Sequence, residues 1–192
     1  MPSQIASPLI LTLALDDAAH TYFDALRRKH FPAKINHLSA HLTLFHHLPG
    51  AQRAWVHAQL QAYAQMLEQL PLQVTGLRSL GQGVAFTLEN AQLRAMHCEL
   101  QTAFAPYLTS QDQQKLQPHV TIQNKVPPDT ARQLLAELQS SFAPFGAVGT
   151  GLQLWAYQGG PWEKLDWFPF GTGASLRQVT LHTQAQGKTP QA

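Results

Sequence analysis

An α+β fold assembled from two related halves is what this sequence predicts, on three observations. Short apolar or alternating runs take turns with stretches of helical period, giving the order β-α-β-α-ββ-α-β-α-ββ. A tetrad of the form His-apolar-Thr-apolar occurs at His41-Leu42-Thr43-Leu44 and again at His119-Val120-Thr121-Ile122. The two copies are 78 positions apart, too far for a solenoid period and suited to a duplicated half-domain. Finally, 192 residues suffice for one domain that buries most of its unfolded surface, with no disulfide or metal needed to hold it.

Residues 8–15 are an apolar run stopped by Asp16-Asp17, a strand buried on both faces. Residues 17–29 set Ala18, Tyr22, Ala25 and Leu26 at helical spacing, with an acidic start and a basic end, and Pro32 follows. Residues 41–48 read as a strictly alternating strand closed by Pro49-Gly50. A helix over 52–69 carries Trp55, Leu60, Tyr63, Met66 and Leu67 and is ended by Pro71. Strands over 72–77 and 83–88 flank the turn Ser79-Leu80-Gly81-Gln82. Asn90 caps a helix running to about residue 105, with Leu93, Met96, Leu100 and Phe104 on one face. A Gln-rich loop leads to a strand over 119–126. Pro127-Pro128-Asp129 then opens a helix over 130–142. Strands over 152–157 and 164–170 flank Gly159-Gly160-Pro161 as a hairpin. The chain is expected to form a single domain, 1–192, with a core over about 7–170. The Gly/Ser/Thr/Gln-rich tail from about 171 is expected to be flexible, with residues 179–182 able to add an edge strand.

Composition narrows the function. At 44% hydrophobic the chain is too apolar to be disordered, and at 12% charged it carries about half the usual ionic share. Thirteen basic against eleven acidic residues give a net +2, which excludes a protein that coats nucleic acid through clustered cations but not a local phosphate site. A lone cysteine, Cys98, excludes an intrachain disulfide and a Cys-rich zinc site. No apolar run approaches the ~18–20 residues that span a bilayer. The N-terminal stretch lacks a basic region and a small-residue cleavage site, so a cytoplasmic location is expected.

The tetrads carry the chemistry. Alternate side chains on a strand share a face, so His41 and Thr43 point one way, as do His119 and Thr121, while Leu42, Leu44, Val120 and Ile122 point into a core. If the halves are related by a pseudo-twofold axis, both pairs line one groove. Two imidazoles across a small substrate can divide the proton transfers, one neutral as base and one protonated as acid. Two Thr hydroxyls can hydrogen-bond the non-bridging oxygens of a phosphate. That layout suits opening or closing a cyclic phosphodiester without a metal.

In these two His-x-Thr motifs, His41-Thr43 and His119-Thr121, the sequence resembles the 2H phosphoesterase superfamily, specifically its bacterial 2′-5′ RNA ligase (LigT-like) branch. The resemblance covers roughly residues 7–170. It implies a bilobal α+β fold, two antiparallel-sheet lobes with outer helices and the motifs facing across a central cleft. It further implies hydrolysis of 2′,3′-cyclic phosphate ends of RNA or nucleotides, or the reverse ligation, with His41 and His119 as acid and base. Members of that branch carry a basic residue, usually Arg, soon after the second motif. Here Gln123-Asn124-Lys125 follow, and Lys125, on the face of His119 and Thr121, is the expected substitute, a point charge in place of a fork.

Other residues are weaker candidates. His37, His41, His46 and His47 cluster in sequence, but their spacings fit no standard zinc pattern and no carboxylate neighbours them, so no metal is expected. By alternation His47 lines the groove and His46 faces away. Tyr157 and Trp162 flank the late hairpin and can stack a base. Arg27-Arg28-Lys29 complements a helix dipole, and Cys98 has no base partner. The expectation is therefore a monomeric enzyme with no cofactor and no obligate protein partner. Its rivals are an enzyme for a small nucleotide such as ADP-ribose 1″,2″-cyclic phosphate, and a module that binds phosphate ends without turnover.

Overall fold

The computed structural model describes residues 7–171, so the 179–182 segment lies outside the described residues. The observed order is β1 (Leu9–Leu15), α1 (Asp17–His30), β2 (Leu42–Leu48), α2 (Arg53–Met66), β3 (Leu70–Ser79), β4 (Val84–Glu89), α3 (Ala91–Phe104), β5 (His119–Gln123), α4 (Pro128–Ser141), β6 (Phe145–Tyr157) and β7 (Trp162–Pro169). It matches the sequence order element for element.

Local chemistry accounts for most boundaries. Asp16 caps α1 by accepting from the Ala19 amide, and its second oxygen accepts from Val148, which ties the helix start to β6. The Asn90 side chain accepts from Leu93 and caps α3. Pro128 opens α4. The turn before β4 has Gly81 at φ +79°, and Gly83 has no alternative there: a Cβ would stand 2.0 Å from the Gln123 carbonyl oxygen. Three expected boundaries move by more than two residues, and the largest shift is in β6, which begins at Phe145 and not at 152 because its first residues pair with β3. The second helix stops at Met66, and Pro71 lies inside β3, with its carbonyl accepting from Asn90. β5 ends at Gln123, because Lys125 turns away in the left-handed region at φ 58°.

The strands form one antiparallel sheet in the order β2-β1-β6-β3-β4-β5, with β7 also paired to β6. The sequence halves β1-α1-β2-α2-β3 and β4-α3-β5-α4-β6 exchange their third strands: β3 pairs with β4, and β6 pairs with β1. β6, 13 residues long, joins the lobes, with Phe145–Gly149 on β3 and Gly149–Ala156 on β1. The motif strands β2 and β5 stand at opposite ends of the strand order yet are in contact, because the sheet curls. The helices pack on the outer face over one apolar core that includes Leu11, Phe23, Phe45, Leu60, Phe86 and Phe104.

One buried side chain ties the motif strands together. Arg27 of α1, 5% exposed, donates from Nε to Asn36 Oδ1 (2.9 Å) and the Leu38 carbonyl (3.0 Å), and from Nη1 to the Thr121 carbonyl (2.9 Å). The basic helix end thus holds protein backbone, where the sequence suggests only a charge complementing a dipole. Arg27→Ala leaves these acceptors without a donor, and a loss of about 3 kcal/mol is expected. Urea denaturation measures it; a loss below about 1 kcal/mol would show that the clamp is dispensable.

Candidate active site

Both motif histidines are held the same way. His41 Nδ1 lies 2.8 Å from the Ser39 carbonyl and His119 Nδ1 2.8 Å from the Gln117 carbonyl, each two residues upstream. A carbonyl only accepts, so Nδ1 carries the hydrogen in each ring and Nε2 is left with its lone pair. Alternation holds through both tetrads: Leu42, Leu44, Val120 and Ile122 are buried, whereas Thr43 and Thr121 are half-buried on the other face.

The motif residues line two unlike cavities. Thr43 and His119 line a cavity of about 270 Å³ together with His46, Arg78 and Lys115. His41 lines another of about 200 Å³ with His37, Trp155 and Trp162. The Trp162 ring centroid is 4.8 Å from that of His41, so the aromatic expected from the late hairpin is beside the first motif. Thr121 lines neither cavity; its backbone carbonyl is the one Arg27 holds. A larger cavity of about 470 Å³ between α1 and α4 is walled by Tyr22, Phe86, Phe142 and Phe145 and contains no motif residue.

Electrostatics follow from this burial. Desolvation pushes the His41 imidazole down to about 4, against the pull of its bond to Ser39, and the charges of Arg27, His46 and His119 add to the depression. His119 is also held below the ordinary imidazole value, first by burial and then by Arg78 and His46, with its bond to Gln117 opposing.

Two expectations from simple alternation, and one from the late hairpin, differ from the structure. The β1–β2 register runs Leu13 to Leu42 and Thr12 to Thr43, then slips so that Leu11 faces Phe45. Leu44 and Phe45 are both buried, a β-bulge, and a second slip before the Leu9–Leu48 pair leaves His46 and His47 both exposed and returns Leu48 to the core. Of these two exposed histidines it is His46, not His47, that lines the cavity of His119. Lys125, past the end of β5, is exposed and lines neither cavity, so it does not share a strand face with His119. Tyr157 pairs with Trp162 across β6–β7 but is 41% exposed and also lines neither cavity.

Four contributors come from elsewhere in the sequence. Arg27 and Arg78 are two of them. Asp112, 3% exposed, accepts from the His46 and His47 amides (2.8 and 2.9 Å) and lies 3.3 Å from His46 Nδ1, so the histidine cluster does have a carboxylate neighbour. Among the described residues no three His, Cys, Asp or Glu groups converge as a metal site. His97 of α3, 2% exposed, donates from Nε2 to the Leu44 carbonyl at the bulge and stacks on Phe45. Cys98 is exposed.

Comparison with known proteins gives the family and the fold. The family model of the 2′-5′ RNA ligase superfamily matches residues 15–161, a span that contains both motifs. The chain is similar in fold to a protein of Thermus thermophilus, with a TM-score of 0.61 and 14% identity over 85% of this chain and 97% of that one. It is similar to Escherichia coli LigT in complex with 3′-AMP, with a TM-score of 0.54 and 16% identity over 85% of this chain and 98% of that one. A structure described as a phosphoesterase gives a TM-score of 0.56 and 16% identity over 86% of this chain and 98% of that one. No curated protein matches the chain.

Asp112 gives this region a measurable pH signature. Burial alone would raise its carboxyl, but the hydrogen bonds from His46 and His47 outweigh that and hold it below the ordinary carboxylate value. A depressed carboxyl contributes stability that is present above its unfolded value and lost as pH falls through its folded value. Asp112→Asn is expected to cost about 1–3 kcal/mol at pH 7 and to flatten the decline in stability below pH ~4. Denaturant midpoints from acid to neutral pH check this, and an unchanged acid slope would remove Asp112 from the account.

Proposed function

The chain belongs to the 2′-5′ RNA ligase superfamily, and from that premise we propose that it opens 2′,3′-cyclic phosphate ends of RNA or nucleotides by metal-independent acid–base catalysis. The observation that carries this reading is the matched pair of Nδ1 anchors, which leave Nε2 bare on both rings, with Thr43 of the first motif in the cavity of His119 of the second. Binding alone needs no such pair of titrating groups. The neutral imidazole takes a proton from water at Nε2 as the water oxygen attacks phosphorus. The protonated imidazole gives its proton to the ribose oxygen as the P–O bond breaks. The product is a phosphomonoester and a free hydroxyl, and the two rings have exchanged protonation states. With a 5′-hydroxyl in place of water as the attacking group, the same ring opening forms a 2′-5′ phosphodiester and is ligation. The hydroxyls of Thr43 and Thr121 are assigned to the non-bridging oxygens. The stronger depression of His41 favours it as resident base, leaving His119 as acid.

A second reading keeps the chemistry and shrinks the substrate. Cavities of about 270 and 200 Å³, and a net charge of +2, favour a small nucleotide such as ADP-ribose 1″,2″-cyclic phosphate over a long RNA.

Purified protein in EDTA, given a short RNA ending in a 2′,3′-cyclic phosphate, is expected to yield a monophosphate end resolvable by chromatography. His41→Ala or His119→Ala is expected to lower kcat by roughly 10²–10⁴ with the fold intact. Full activity in either variant would overturn the assigned roles.

The pH profile tests the same scheme. The base must be deprotonated and the acid protonated, and both free imidazoles lie below 6.5. The maximum of kcat/KM is therefore expected on the acid side of about 6.5, falling as pH rises through neutrality because the acid has lost its proton. A maximum above pH ~8 would contradict it.

A further inference from the structure

Two cations, Arg78 and Lys115, line the cavity of His119, and Arg78 is the one carried by the sheet. In the β3–β4–β5 register Arg78 stands opposite Ala85 and Ala85 opposite Thr121, while Gly76, Thr87 and His119 form the next row. Residues directly opposed across strands share a sheet face, so Arg78 lies on the face of both second-motif residues. Between Arg78 and Thr121 stands only the methyl group of Ala85, which leaves the guanidinium free to reach over β4. Arg78 lines the cavity of Thr43, His46 and His119.

Its donors are mostly unused. Nη1 donates to Gln117 Oε1 at 2.6 Å. Among the described residues no carboxylate stands within ion-pair distance of Arg78, although Arg28, Arg53 and Arg132 each have one. A half-buried guanidinium with spare donors and no counter-charge, beside two imidazoles, is built for an anion.

The other half of the groove lacks this feature. There the corresponding row is Thr43, Thr12 and Gln153, so the place of Arg78 is taken by a neutral amide. The neighbouring wall at that end is aromatic, from Trp155 and Trp162. The two ends differ in chemistry although the histidine settings match.

We infer that Arg78 is the fixed cation of the site, its guanidinium fork holding non-bridging phosphate oxygens, so that substrate lies with its phosphate toward His119 and its nucleoside toward His41 and Trp162. This rests on the phosphoesterase reading for the identity of the substrate, but not for the binding of an anion. Arg78 takes the role that the sequence suggests for Lys125.

The test titrates inorganic phosphate into the full chain by calorimetry and follows the imidazole protons by NMR. Wild type is expected to bind phosphate, and Arg78→Ala to weaken that binding at least tenfold. Arg78→Lys, which keeps the charge and loses the fork, is expected to fall between them. With a nucleoside 2′,3′-cyclic phosphate, Arg78→Ala is expected to raise KM by a similar factor. Phosphate affinity unchanged in Arg78→Ala, with only the His119 titration moved, would reduce Arg78 to a positioning residue acting through Gln117 and overturn the inference. Loss of binding in Lys125→Ala but not in Arg78→Ala would also overturn it. Arg78-dependent phosphate binding without turnover of any cyclic phosphate would sustain the inference while refuting the proposed reaction.

Discussion

The site depends on one buried guanidinium. Arg27 is fixed in α1, between the two strands of the first half, yet it holds the Thr121 carbonyl of the second motif and the Leu38 carbonyl just ahead of the first. A charge this deep is tolerated only where its donors are used, and here Nε is spent on the Asn36 side chain and the backbone ahead of the first motif, and Nη1 on the backbone of the second. Phe31 covers the guanidinium, 4.0 Å from its ring centroid, and Asp24 beside it accepts from the Ala40 amide, directly before His41. The arrangement is reciprocated: His97 of α3, in the second half, donates to the Leu44 carbonyl of β2 in the first. Each half thus pins the motif strand of the other. Strands at opposite ends of a sheet have no ladder between them, and these cross-bonds supply the missing constraint.

The bulge at Leu44 and Phe45 is the second determinant. An extra residue in β2 turns both apolar side chains into the core and brings His46 onto the groove face. It also disturbs the ladder, and the groups involved find other partners: the Leu44 carbonyl takes His97, and the His46 and His47 amides take Asp112. The exposed flank of β2 is thereby covered by the loop before β5, so this edge offers little unpaired backbone to another chain.

What the sequence made legible were features with a local period or a local partner. The tetrads stood out because alternation is intrinsic to a strand and because they occur twice. Asp16 and Asn90 announced their helices because a cap acts over three residues. The bulge was legible in part, since Leu44-Phe45 followed by His46-His47 already breaks alternation, but a strict period-2 rule assigned the groove to His47. Arg27, Arg78 and Asp112 were not legible in their roles. Arg27 meets Thr121 across 94 positions and Asp112 meets His46 across 66, and no local pattern in the sequence marks either pairing. Lys125 looked suitable because it was counted along a strand that in fact ends two residues earlier.

Duplication creates a problem that a single chain must resolve. Two identical half-sites would accept a substrate in either orientation, and neither imidazole would have a fixed role. Here the anchors are the same, a Nδ1 bond to the carbonyl two residues back, so tautomer does not distinguish the rings. Their surroundings do. Burial takes His41 to about 4, and it stands beside Trp162, whereas His119 shares its cavity with Arg78 and Lys115. A phosphate between the rings favours the protonated form of both, but the proton goes where desolvation opposes it less, which is His119. The charge of Arg78 on that side opposes the proton before substrate arrives and is itself neutralised once an anion is bound. In the proposed reaction, substrate binding would therefore arm the acid on the side that holds the phosphate and leave the base neutral against the aromatic wall.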